Sequence, residues 1–300
     1  MRKPLERPSV ISAENQAVNN SPGSEYDVWT EASPWVERFL MLHRRVRGAV
    51  MNSRSAGTGT RNAKGDDVKL FDLAANDAAL AVLEKFHLPL VVDSEEGGCL
   101  EIGSGNPRHR LILDPVDGSD NWARGLPLSA LSCAVLPINA PLHPDWVEAA
   151  LVGPLDNDTP LIGLKGSGAW RGNDRLETSK QRNIIEAMIS IELNHHFPSP
   201  GLARLIATSR GVRCYGCASQ ALSLVAAGNI DAHVDMRGRL TAESYLAGAR
   251  LVIEAGGWVV GLKGEPLAAP ESLTDRISLV AASSPELCDE IVELLVNESH

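Results

Sequence analysis

Asp114-Pro115-Val116-Asp117-Gly118-Ser119-Asp120-Asn121 concentrates the reactive side chains of this chain, and the run continues through Trp122-Ala123-Arg124-Gly125-Leu126-Pro127. Two carboxylates three residues apart at the end of an apolar stretch can converge on one point. Pro115 fixes the backbone between them, and Gly118 permits a sharp turn that brings amide N–H groups close to an anion. Carboxylate oxygens beside bare N–H groups suit Mg2+ held against a phosphate. The same residues also fit a capped turn, with Asp and Ser bonding their own backbone. A second acidic group, Glu95-Glu96, stands upstream. Adjacent exposed acids are commonly a solvated turn. Beside the Asp114 string they become candidate ligands, because crowded carboxylates repel one another and a cation relieves the repulsion. Metal-assisted phosphoryl transfer needs such a cluster, since cations ionise water and absorb charge on the phosphate oxygens.

These groups need elements to position them. Arg110-Leu111-Ile112-Leu113 reads as a short buried strand that delivers Asp114, and Leu88-Pro89-Leu90-Val91-Val92 as one that leads to Asp93-Ser94-Glu95-Glu96-Gly97-Gly98. Upstream, Trp35, Phe39, Leu40, Leu42, His43, Val46 and Val50 form a helical stripe with Ser33-Pro34 as its start signal. A second helix carries Lys69, Asp72 and Asp77 on or near it, with Leu73, Ala79, Leu80, Leu83 and Phe86 as the expected apolar face. Between the two, 53–65 is expected to be a loop, and 1–33, rich in Asn, Ser, Pro and Glu, a mobile extension. Downstream, strands are expected at 129–136, 149–152, 160–163, 188–193, 231–234, 258–260 and 278–281, with a hairpin at 166–172. Helices are expected at 202–209, 219–227, 242–254 and 286–296. Strands alternating with helices predict a mixed sheet between helical layers.

Composition narrows the function. The 300 residues, 44% hydrophobic and 22% charged, describe a soluble globular protein with ample core. A net charge of −10 with no compensating basic patch argues against a nucleic-acid polymer as partner. It suits an acidic site partly neutralised by divalent cations. No apolar run approaches the roughly 18 residues needed to span a bilayer, so no membrane association is expected. Arg2 and Lys3 are not followed by a hydrophobic segment, so a cytoplasmic location is expected. The five cysteines, Cys99, Cys133, Cys214, Cys217 and Cys288, are scattered and read as reduced thiols. Cys214-Tyr215-Gly216-Cys217 has redox spacing, and a redox protein built on it would show thiol-dependent activity.

The fourteen residues 114–127 match D-P-[ILV]-D-G-[ST]-x-N-[FYW]-x-x-G-x-P, and across 34–298 the chain resembles the inositol monophosphatase family. The resemblance implies a layered αβαβα sugar-phosphatase fold of the α/β class. An α+β part at 34–180 would carry the metal site, and an α/β part at 181–300 would complete the substrate cleft. It also implies a Mg2+-dependent phosphomonoesterase, hydrolysing a small phosphorylated sugar, cyclitol or nucleotide by metal-activated water. Two or three Mg2+ sites and a homodimer are implied as well. Residue by residue, Asp72 matches the family's early acid, within a Lys69-x-x-Asp72 spacing seen in archaeal-type members, and Ser94-Glu95-Glu96 matches its double Glu. Glu95, Asp114, Asp117 and the carbonyl of Val116 fall on metal ligands, while Glu95, Asp72 and Ser119 fall where the attacking water is oriented. Gly118 and Ser119 match the phosphate-binding groups. Gly216-Cys217-Ala218 lies where the family has G-S-A against substrate, which places Ala218 there. Gly228-Asn229-Ile230-Asp231-Ala232 and Asp235-Met236-Arg237-Gly238 match G-x-x-D-A and D-x-R-G of the archaeal-type branch, adding Asp235 to the substrate set.

One position departs from the pattern. The stretch 238–248 aligns without gaps, and Glu254-Ala255-Gly256-Gly257 matches E-A-G-G, so Ser244 falls where the family has an Asp shared with a second metal. A neutral hydroxyl is a poor Mg2+ ligand, so that second site is expected to be weakened, with Ser244 facing the substrate. Glu243 is no ready replacement, because adjacent helical residues point about 100° apart. Two outcomes stay open: a differently tuned phosphatase, or a non-catalytic relative that binds a phosphorylated ligand in the same cleft.

Overall fold

The apolar stripe that begins after Ser33-Pro34 folds as α1 (Trp35–Met51), with the Ser33 hydroxyl accepting the Trp35 N–H at its start. Its inner face is Trp35, Val36, Phe39, Leu42, Val46 and Val50. The structure, a computed structural model, describes residues 33–53, 57–61 and 67–296, so all but Ser33 of the expected extension lies outside the described residues. The expected loop at 53–65 is partly strand: β1 (Gly57–Arg61) pairs antiparallel with β2 (Asp67–Lys69), Gly57 opposite Lys69. This ribbon is almost wholly exposed along β1 and so carries no apolar alternation for the sequence to reveal. Next comes α2 (Leu70–Glu84), whose buried face is Phe71, Ala75, Ala79, Val82 and Leu83. Leu73, expected inside, is 40% exposed. Asp72 and Asn76, four residues apart on one edge, are buried instead, and turning them inward turns Leu73 out.

An eight-stranded sheet follows, built from β3 (Leu90–Ser94), β4 (Gly98–Ile102), β5 (His109–Asp117), β6 (Ala130–Pro137), β7 (Ala149–Pro154), β8 (Leu161–Leu164), β9 (Gly168–Arg171) and β10 (Asp174–Arg175). Its order is β10-β9-β8-β7-β6-β5-β3-β4, and only β3 and β5 run parallel. Between β5 and β6 lies a short helix, α3 (Ser119–Ala123). The second half contributes β11 (Met188–Ile191), α4 (Pro200–Thr208), β12 (Gly211–Arg213), α5 (Ala218–Ala226), β13 (Ala232–Leu240), α6 (Ala242–Glu254), β14 (Trp258–Val260), β15 (Ile277–Ala282) and α7 (Pro285–Val296). Its five strands are ordered β12-β11-β13-β15-β14. β13 outruns the strand expected at 231–234, because it continues through Asp235-Met236-Arg237-Gly238 with a register irregularity against β15. Charged residues masked that continuation.

Three apolar clusters define the layering. One joins α1 and α2 to the eight-stranded sheet through Leu111, Leu113 and their neighbours. A second places α5 and α6 between the sheets, with Ile112 of β5 on one side and Leu279 of β15 on the other. The third packs α4 and α7 on the outer face of the five-stranded sheet. The result is five layers, αβαβα, with the inner strands of the two larger sheets buried on both faces, as apolar runs such as Ala130–Pro137 require. Among the described residues no helix is long and apolar enough to cross a membrane.

The central helices touch closely at Gly248, where an added Cβ would stand 2.6 Å from the Leu222 Cβ. Gly248→Ala should therefore force α5 and α6 apart and destabilise the protein by roughly 1–3 kcal/mol, read as a lowered midpoint in urea. An unchanged midpoint would contradict this packing.

Candidate active site

In a regular strand, residues three apart point to opposite faces. Asp114 and Asp117 of β5 escape this rule. Asp114 lies opposite Ser132 of β6 but Asp117 lies opposite Ala130, so β5 carries one extra residue between them. That bulge changes the parity and lets both carboxylates line one cavity of about 660 Å³. Pro115 sits within the bulge, where its missing N–H costs least. Beside it, β3 runs parallel to β5 with Ser94 level with Leu113, and the Glu95 N–H donates to the Leu113 carbonyl at 3.0 Å. Two neighbouring parallel strands thus end together and deliver Glu95 and Glu96 to the same cavity.

Asp72 comes from the first turn of α2, where its Oδ2 accepts the Lys69 main-chain N–H at 2.8 Å. Its Oδ1 is buried and has no hydrogen-bond partner among the described residues. Burial is the main force pushing its carboxyl up to about 6; Glu95 and Asp120 add repulsion, and the Lys69 N–H and charge oppose the rise. The Lys69 Nζ donates to Ser119 Oγ at 3.1 Å and pairs with Asp120 at 2.9 Å.

Gly118 makes the turn after β5 at φ +81°, and a Cβ there would lie 2.8 Å from the Leu128 carbonyl and 2.9 Å from the Cys217 Cβ. Only glycine fits. The motif is also fastened to the other half of the chain. Asp117 Oδ2 accepts from Ser219 N–H at 2.7 Å, Ser219 O–H at 2.6 Å and the Cys217 thiol at 3.2 Å, capping α5 from a distance in sequence. Asn121 Nδ2 donates to the carbonyls of Leu128 (2.8 Å) and Tyr215 (2.7 Å).

The opposite wall is formed by Glu192, Asn194 and His195 after β11, by Ala218, by Arg237 and Arg239 of β13, by Thr241 and Ser244 at the start of α6, and by Arg276. Of the residues singled out in the sequence, Asp72, Glu95, Asp114, Val116, Asp117, Gly118, Ser119, Ala218 and Ser244 all line this cavity. Asp235, expected in the substrate set, does not line it. It is fully buried, and its carboxylate grips Arg237 through Nη2 at 2.6 Å and Nε at 3.0 Å, so Arg237 is the residue that reaches the cavity. Glu243 is also absent from the lining; its carbonyl accepts the Ser132 hydroxyl at 2.7 Å. Glu192 was missed. Its carboxylate accepts the Gly216 N–H at 2.8 Å, and burial raises its pKa. An acid directly after the apolar Met188–Ile191 was the available signal. Asn194, His195, Arg239 and Arg276 come from turns and strand ends, which carry no such pattern.

The donor set fits Mg2+: carboxylates of Glu95, Asp114 and Asp117 and a nearby main-chain carbonyl are hard oxygens. Among the described residues no three His, Cys, Asp or Glu side chains already stand in chelating positions. One Asp117 oxygen is committed to α5, and Asp114 Oδ1 accepts the Val116 N–H at 3.0 Å. What favours an ion is the charge: several acids line the cavity, and Asp72 Oδ1 is buried with no hydrogen-bond partner among the described residues.

Acids gathered at strand ends below a Gly-Ser turn, within αβαβα layers, define a sugar-phosphatase type of phosphoric monoester hydrolase. The chain belongs to the inositol monophosphatase family, whose model matches residues 38–300. It is 31% identical over 282 residues to a fructose-1,6-bisphosphatase/inositol-1-monophosphatase of Methanothermobacter thermautotrophicus, covering 90% of this chain and 98% of that one. An inositol-1-monophosphatase of Bacillus subtilis is 29% identical over 222 residues, covering 70% and 79%. Among solved structures, an IMPase of Thermotoga maritima superimposes with a TM-score of 0.73 at 23% identity, covering 89% of this chain and 98% of that one, a likeness of fold.

The raised Asp72 carboxyl has a consequence for the chelated protein. Its ionised form is disfavoured by folding, so stability falls as pH rises from the ordinary 3.8 through about 6. Asp72→Asn should then be more stable than wild type at pH 7.5 by on the order of 2 kcal/mol, allowing for the open cavity mouth, and equal to it near pH 4. Urea titrations at the two pH values test this; an equal gap at both would contradict it.

Proposed function

We propose that the chain is a Mg2+-dependent phosphomonoesterase that hydrolyses a small phosphorylated sugar, cyclitol or nucleotide by attack of water. The observation that supports this is one cavity lined by Asp72, Glu95, Asp114 and Asp117 together with the Gly118-Ser119 turn. Bound Mg2+ would acidify water and take up charge on the phosphoryl oxygens. Glu95, Asp114, Asp117 and the Val116 carbonyl would hold it. Glu95 accepts the proton of the attacking water, while Ser119 and Asp72 fix that water's direction. Main-chain N–H groups at Gly118 and Ser119 meet the phosphate. The alcohol portion lies toward Ala218, Ser244 and Arg237, whose guanidinium Asp235 holds rigid. Phosphorylated sugars and inositol suit this reading because the relatives' names point there. A cytoplasmic homodimer completes the proposal.

Phosphate release against a panel of sugar, inositol and nucleotide phosphates, with Mg2+ varied, tests the activity. Asp114→Asn should abolish turnover in a folded protein. Glu95→Gln should lower kcat by roughly 100-fold or more with little change in KM. Should Glu96→Gln prove the more damaging change, the roles within the pair are reversed.

Ser244 favours the second reading, a relative that binds a phosphorylated ligand without turnover. Its hydroxyl lies 3.4 Å from that of Thr241, and the neighbouring Glu243 is not among the residues that line the cavity. Under the catalytic reading, Ser244→Asp should restore a charged ligand and lower the Mg2+ concentration for half-maximal activity. An unchanged Mg2+ dependence would contradict the weakened second site, and no phosphate release from any substrate would favour the binder.

A further inference from the structure

We propose that Lys69 is a positioning residue for Ser119, setting the direction in which the Ser119 hydroxyl proton points. This rests on the reading of Ser119 as a group that orients the attacking water or the phosphate. The Lys69 side chain is only 14% exposed, and its Nζ meets Ser119 Oγ at 3.1 Å across 50 positions of sequence. An ammonium carries three donors and no acceptor, so this bond uses a lone pair of the serine oxygen. The serine proton is thereby turned away from Lys69. It is left for an acceptor elsewhere in the cavity, such as an oxygen of the bound phosphate or Asp72 Oδ1, which is buried without a hydrogen-bond partner among the described residues. A charged donor on Oγ also polarises the O–H, making the hydroxyl a stronger donor in that direction.

Lys69 is well held for this task. Its main-chain N–H donates to Asp72 Oδ2 at 2.8 Å, so one residue bonds Asp72 through its backbone and Ser119 through its side chain. It ends β2, and its Cα stands opposite Gly57 of β1, which fixes the backbone from which the side chain departs. Asp120 adds an ion pair at 2.9 Å, but its side chain is 86% exposed, so that pair steers the ammonium more than it stabilises the fold.

A double-mutant cycle of Lys69→Met and Ser119→Ala separates this from a structural role. In the native background Lys69→Met should lower kcat by roughly 10- to 100-fold, with KM and melting temperature little changed. In the Ser119→Ala background the same change should cost less than about threefold, because the group it positions is gone. Lys69→Arg, which keeps a charged donor, should recover part of the loss. Equal fold-losses in both backgrounds would overturn the proposal while leaving the reading of Ser119 intact. A loss confined to KM or to melting temperature would overturn it too. Full activity in Ser119→Ala would overturn both.

Discussion

A single extra residue in β5 determines whether this chain has a site at all. Without the bulge, Asp117 would project to the face opposite Asp114. Leu111 and Leu113 of β5 pack on the α1–α2 side and Ile112 on the α5–α6 side, so both faces of that strand are apolar. A carboxylate left unpaired there would be strongly destabilising. With the bulge, Asp117 reaches the cavity edge and finds the start of α5, where two N–H or O–H donors and a thiol receive it. The same shift turns Pro115 and Val116 into a bend, after which Gly118 completes the turn. One local irregularity thus gathers the acids and joins the two halves of the chain.

The rest of the architecture makes that bend rigid and keeps the acids from relaxing apart. β3 and β5, adjacent and parallel, end at one level, and the Ser94 hydroxyl donates to Asn76 Oδ1 at 2.6 Å, tying the strand end to α2. Burial is the main cause of the raised Asp72 carboxyl, with repulsion from Glu95 and Asp120 a smaller addition, so its ionised form carries a cost in the folded protein. The acids share one cavity, although among the described residues no three of them already stand in chelating positions, so an arriving cation would draw them together. Positive groups are supplied on three sides: Lys69, the N-terminus of α5, and the arginines of the far wall. Each of the nearest is already engaged, Lys69 by Ser119 and Asp120 and Arg237 by Asp235, so they orient more than they neutralise.

Much of this was legible in the sequence where the chemistry is local. Residues 114–127 form one continuous string, and Glu95-Glu96 is a visible acidic pair. A helix with an apolar stripe, such as α1, was equally plain. Features set by distant contacts were not. The β1–β2 ribbon has no apolar face, and the exposed edge strand β4 shows no alternation, so neither leaves a trace in hydropathy. Leu73 was placed inside because periodicity cannot know that Asp72 must face the cavity. Asp235 and Arg237 share one face of β13, and only the packed structure shows that the acid is buried and the base is the one exposed to ligand.

The central claim is that these carboxylates are held together against their own repulsion to receive a divalent cation. Calorimetric titration of the chelated protein with Mg2+, with and without inorganic phosphate, tests it most directly. The account predicts saturable Mg2+ binding that tightens when phosphate is present and disappears in a folded protein lacking the Glu95 and Asp114 charges. A folded wild-type protein that binds no Mg2+ under either condition, or one that binds equally well without those two charges, would contradict it.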